Sequence, residues 1–145
     1  MSEKKLPEKV QKKLKEGWIQ SWMMIEVLAV TEKAARSALE RHVAMLEKEE
    51  KSMVYRKDFK KIERVVKPLR GIEEAYSNVV EIELITENYE KLVYLVMNYA
   101  PSSVEILSPE NIKMDIGEAQ GILNSLSEMI HKFAAAGLGG VIIKA

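Results

Sequence analysis

Four glutamates and four neutral polar residues carry the spacing that could serve chemistry in this sequence. Glu26, Glu81, Glu83 and Glu105 each stand between apolar neighbours, so in an extended strand each faces away from them. Carboxylates gathered on one sheet face would suit a cation, a ligand amine or an acid of raised pKa. The plainer and preferred reading is a solvated strand face paired with lysines. Gln120, Asn124, Ser127 and His131 recur at i, i+4, i+7 and i+11, an uncharged polar stripe along one helix. A solvent face in so Lys- and Glu-rich a chain would normally carry those charged residues. The stripe therefore points to a partly buried face, bonded to a ligand, a buried carboxylate or another subunit; a structural helix–helix contact is the preferred plain reading.

Composition removes several classes of function. The 145 residues hold 22 Lys and Arg against 22 Asp and Glu, and no Cys. A disulfide scaffold, an Fe–S cluster, a thiol nucleophile and a Cys-bearing zinc site are all excluded. Only two histidines occur, and neither sits in an H-E-x-x-H or H-x-x-H spacing, so no helix-borne zinc site is supported. His42 falls on an apolar helix stripe with Ala35, Leu39 and Leu46 and reads as a core or boundary residue. His131, among polar neighbours, is the better functional candidate. No metal, cofactor or catalytic residue is assigned.

With 47% hydrophobic and 30% charged residues, the chain reads as one ordinary globular domain, residues 1–145. No run of eighteen apolar residues marks a membrane span, and the charged N-terminus lacks the features of a signal peptide, so a cytoplasmic protein is expected. Twenty of the acids are Glu and seventeen of the bases Lys, a bias that resembles thermophile surfaces. A net charge of zero weakens any global case for nucleic-acid binding. Locally, residues 51–70 hold eight bases and two acids, a net +6. That segment is either a phosphate or nucleic-acid patch or, as preferred, a lysine guard on a sheet edge.

These side chains need elements to position them. Periodicity predicts a short helix over 7–16, a strand over 22–30, and a helix from a Thr31 cap to about Lys48. Residues 53–66 are ambiguous and are read as an irregular strand, with a loop at Pro68 and Gly71. A strand follows over 78–86, then a helix capped by Asn88 and stopped at Pro101. A short strand over 103–107 turns Val104 and Ile106 inward. The D-x-x-E of Asp115 and Glu118 opens the longest helix, 116–136, which Gly137 closes. Beyond it, Gly139 and Gly140 read as a hinge before an apolar Val141-Ile142-Ile143 end.

The inner six elements run strand–helix–strand–strand–helix–strand. In element order and spacing, residues 22–107 resemble a ferredoxin-like domain of the kind used by ACT-type regulatory modules and several small archaeal families. The resemblance implies an α+β fold: a four-stranded antiparallel sheet in the order 4-1-3-2, two helices on one face, and added N- and C-terminal helices. It carries no functional residue across, because one such fold hosts many functions. In that sheet, Glu26, Glu81, Glu83 and Glu105 share the helix-free face with Trp22, Met24, Leu28 and Ile85. That face is too apolar for water, and the C-terminal helix or a second subunit is expected to cover it. If the helix covers it, Ala119, Leu123, Leu126, Ile130 and Phe133 pack on the sheet and His131 meets a glutamate.

The expected function is a non-catalytic small-ligand-binding or regulatory module that self-associates, with a pocket between the sheet and the C-terminal helix. Two alternatives stand beside it. One is a small enzyme using His131 and a strand glutamate as acid and base; the other is nucleic-acid binding through residues 51–70.

Overall fold

Side-chain caps set where three of the four helices begin. The computed structural model describes residues 5–137. Thr31 Oγ1 accepts from the Ala34 amide at 3.0 Å and starts α2 (Glu32–Glu47). Asn88 Oδ1 accepts from the Lys91 amide at 2.9 Å and starts α3 (Tyr89–Tyr99). Asp115 Oδ1 accepts from the Glu118 amide at 2.8 Å and starts α4 (Ile116–Ala135). Each bond satisfies an amide that has no partner within its own helix. The short α1 (Glu8–Lys15) instead follows Pro7, which makes no side-chain cap.

The strands are β1 (Ile19–Ala29), β2 (Ser52–Phe59), β3 (Glu63–Leu69), β4 (Ile72–Thr86) and β5 (Ser103–Ser108). They form one antiparallel sheet in the order β2-β4-β1-β5, with β3 also paired to β4. The fold is α+β, as expected, but the sheet has five strands rather than four. The ambiguous segment is strand, broken in two: β2 lies against Val80–Thr86 and β3 against Ile72–Ser77, on the same side of β4. The expected loop at Pro68 and Gly71 shrinks to a two-residue turn, Arg70-Gly71, joining Leu69 to Ile72. Gly71 has φ +83°, a backbone state that a side chain resists. β4 therefore starts six residues earlier than the sequence pattern suggests, and β1 starts at Ile19 rather than 22.

Alternation then sorts the sheet. Ile19, Met23 and Ile25 of β1 and Val80, Ile82 and Leu84 of β4 pack against Leu39, Val43 and Leu46 of α2 and Leu92, Leu95 and Tyr99 of α3. Burying each of these large side chains is worth about 1.5–3 kcal/mol. On α2 the fully buried stripe is Ala35, Leu39, Val43 and Leu46, so His42 sits half-buried at its border. Val104 and Ile106, expected inward, are exposed on the outermost strand.

The opposite face is covered differently from expectation. Ile85 and Val10 are both fully buried outside the main core, and α1 contacts β4. The N-terminal helix therefore closes one end of this face. α4 packs on α3 instead, as an outer layer on the far side of the molecule. A direct bond fixes that docking: Glu118, expected to complete its own helix's capping box, accepts from the Glu90 amide at 3.1 Å. One carboxylate thus caps the neighbouring helix. The Gly139-Gly140 hinge and the Val141-Ile142-Ile143 end lie outside the described residues. No helix among the described residues is long and apolar enough to cross a membrane.

Candidate functional site

Register puts all four glutamates on one sheet face as the sequence implies, and Glu26, Glu81 and Glu83 are each already engaged. Register sets Glu83 between Trp22 of β1 and Arg56 of β2, and Glu81 between Met24 and Asp58. Tyr55 falls where the β2–β4 register shifts, between Val54 and Arg56. Its hydroxyl donates to Glu83 Oε1 at 3.0 Å and accepts from Gln20 Nε2 at 2.7 Å. Ser108 Oγ donates in turn to Gln20 Oε1 at 3.2 Å, and Arg56 pairs with Glu83 Oε2. Burial, with the Glu83 charge behind it, pushes the Tyr55 hydroxyl up to about 12.

Glu81 has its own partners. Trp22 Nε1 donates to Glu81 Oε1 at 3.1 Å, and Lys60 Nζ reaches Glu81 Oε2 at 3.0 Å and Asp58 at 2.5 Å. These two acceptors hold the Lys60 ammonium above its usual pKa. Glu26 accepts from the Ser77 hydroxyl. Glu105 stands opposite Trp22 on exposed β5. The glutamate face is thus largely a set of charge-assisted contacts between neighbouring strands, with Lys60 shared by Glu81 and Asp58.

The polar stripe of α4 does not meet these glutamates. Gln120, Asn124, Ser127 and His131 are all exposed, and Gln120 Nε2 donates to Asn124 Oδ1 at 3.2 Å along the helix. The sheet and α3 stand between that stripe and the four acids. The expected pocket between sheet and C-terminal helix is accordingly replaced by a cleft between α3 and α4. It has a volume of about 370 Å³ and is lined by Glu50, Lys51, Glu90, Lys91, Tyr94 and Ser125 among others.

Sequence reading missed the cluster at the rim of this cleft. Glu49 accepts from Lys91 Nζ at 2.8 Å and from the Tyr99 hydroxyl at 2.7 Å. Those two donors, the Lys91 bond foremost, hold the Glu49 carboxyl below its usual pKa, while burial and Glu49 push Tyr99 up. Lys91 also lies 4.4 Å from the centre of the Tyr94 ring. His42 Nε2 donates to the Tyr99 carbonyl at 2.8 Å and its ring meets Tyr99 edge-on at 5.2 Å. The signal available was the i, i+8 spacing of Lys91 and Tyr99 in α3; nothing in the sequence points from either to Glu49 at the end of α2.

Half of the eight bases in the basic segment are paired with acids where they stand. Arg56 pairs with Glu83, Lys57 with Glu47, Lys60 with Asp58 and Glu81, and Arg64 with Glu74. Among the described residues no three His, Asp or Glu side chains group in a way that could hold a metal ion.

Comparison with known proteins gives one family. Its description is MJ0538 family, and its model matches residues 20–144, from β1 through α4. No match is found among curated proteins or among solved structures.

Proposed function

The chain belongs to the MJ0538 family, and from that premise we propose that it is a non-catalytic binding or regulatory module that works as a self-associated unit. One observation carries the reading: α4 is seated on α3 by one side while its other side presents Ile116, Leu123, Leu126, Ile130 and Phe133 to solvent. A contiguous apolar surface of this kind on a small chain marks an interaction site. The order β2-β4-β1-β5, with β2 and β3 together standing as one strand, supports the ferredoxin-like reading of the core. A small ligand of this module belongs in the α3–α4 cleft, where Lys51 and Glu50 face Glu90 and Ser125.

The rival readings lose support. Acid–base chemistry by His131 and a strand glutamate would need two groups that lie on opposite sides of the sheet. Nucleic-acid binding through residues 51–70 loses four of the segment's eight bases to acids. Light scattering on the full chain at micromolar concentration tests the assembly; a clean monomer refutes it. Mass spectrometry of protein purified gently from its source tests the ligand. A species that leaves when Lys51 and Ser125 become alanine supports the cleft, and one that stays refutes it.

A further inference from the structure

The exposed side of α4 has a finer pattern than amphipathicity alone. Ile116, Leu123 and Ile130 recur every seven residues, and Ala119, Leu126 and Phe133 do the same three positions later. That alternation of three and four is the spacing of a coiled-coil seam. The large members are left open: Ile116 is 86%, Leu123 61%, Leu126 40%, Ile130 55% and Phe133 48% exposed. Meanwhile Gly121, Ile122, Ser125 and Met129 on the other side face α3, and Phe133 at the boundary reaches the same groove beside Tyr94 and Met97. One helix thus carries two packing faces, and among the described residues the large side chains of the second are open.

Charge says what the second partner is. The charged side chains of α4 are Glu118, Glu128 and Lys132. Glu118 caps α3, and Glu128 pairs with Lys132 at 3.2 Å, so all three lie off the seam. The flanking positions are Gln120, Ser127 and the buried Ala134 on one side, and Ile122 and Met129, which turn toward α3, on the other. Coiled-coil partners of a different sequence are selected by complementary charges at those flanks. Here the flanks are neutral and match themselves, and the chain's net charge of zero adds no repulsion between copies.

We propose that this seam docks on the same seam of a second copy, with the two α4 helices antiparallel about a two-fold axis near Asn124 and Ser125. This rests on the self-association proposed above and names its contact. Volume fixes the direction. Antiparallel, Ile130 of one copy meets Ala119 of the other, Phe133 meets Ile116, and Leu126 meets Leu123, so a large side chain fills the space beside each Ala119. In parallel, Ala119 would face Ala119 and leave a gap, while Phe133 would crowd Phe133. The polar stripe then gains a purpose, since the Gln120 and Ser127 groups line the rim of the joint and hydrogen-bond across it.

The test uses the full chain, which has no native cysteine to interfere. Light scattering is expected to give twice the monomer mass, and Leu126→Glu with Ile130→Glu is expected to halve it while far-ultraviolet circular dichroism stays unchanged. If the double variant loses its helical signal, Leu123→Gln serves as the milder probe, with the same expected loss of dimer. A dimer untouched by variants that keep their fold overturns this contact and leaves self-association standing; a monomeric wild type overturns both. For direction, Ala119→Cys mixed with Ile130→Cys should cross-link on oxidation, whereas Ala119→Cys alone should not, its two copies lying about 16 Å apart along the antiparallel axis. Cross-linking by Ala119→Cys alone overturns the antiparallel arrangement.

Discussion

Lys91 reaches across from α3 to Glu49 at the end of α2, and at 2.8 Å theirs is the least exposed ion pair among the described residues. Tyr99 holds the second carboxylate oxygen, so both acceptors of Glu49 are spoken for. The pair fastens the two helices that cover the core, from the side where the α3–α4 cleft opens.

Its contribution should vanish in acid. The Glu49 pKa is lowered in the folded protein, so the stabilisation is present above the ordinary carboxyl value and lost as pH falls through the folded one. Glu49→Gln is expected to cost about 1–2 kcal/mol at neutral pH. Denaturant unfolding of both proteins should show that gap closing as pH falls below the ordinary carboxyl range. A gap that stays constant to pH 3 would mean the carboxylate's charge does not matter.

Tyr55 should titrate late and carry the opposite sign. Its pKa rises from 10.0 to about 12 on folding, so its stabilisation is complete below pH 10 and is lost as pH climbs through the folded value. An ultraviolet titration of tyrosinate is expected to lose one of its late steps in Tyr55→Phe. The same change strips the Gln20 amide and Glu83 of a partner and should cost about 1 kcal/mol.

Thr86 is an opportunity for stabilisation. Its side chain is fully buried on the helix-facing side of β4, and Oγ1 has no hydrogen-bond partner among the described residues. Thr86→Val keeps the shape and removes the unpaired hydroxyl. It is expected to add about 1 kcal/mol, a rise of roughly 2–4 °C in Tm by calorimetry.

Residues 51–70 should bind mixed-sequence DNA or RNA no more tightly than about 10⁻⁴ M at physiological salt. Fluorescence anisotropy across a salt series checks this. Submicromolar affinity with a steep salt slope, abolished by Lys60→Glu with Lys61→Glu, would restore the nucleic-acid reading.

The helices and the α+β class were legible because they are written locally: Thr31, Asn88 and Asp115 each cap the helix that they precede. The alternation of Val80, Ile82 and Leu84 with Glu81 and Glu83 likewise made one face core and the other polar, as the burial of those three residues bears out. What failed was non-local. Nothing in the amphipathic pattern of 116–136 says which apolar stripe finds α3, because the helix has two, and the more conspicuous one stays open. The break between β2 and β3 was equally hidden, since residues 53–66 fit helical spacing as well as strand. The Glu49–Lys91–Tyr99 cluster depends on two helix ends meeting, which no spacing within either helix encodes.

β1 also imposes an order on events during synthesis. Met23 is paired with Ile82 on one side and Val104 on the other, so the strand made first is completed last. The ribosome adds about 5–20 residues per second, so the 81 residues added after Met23 up to Val104 take roughly 4–16 s. Throughout that interval the most apolar stretch of the first half has no neighbour on its β5 side. α2 is the next element to emerge, and its Leu39, Val43 and Leu46 belong to the same core cluster as Met23 and Ile25. It is therefore the first element available to cover the core face of β1 before β4 and β5 are made.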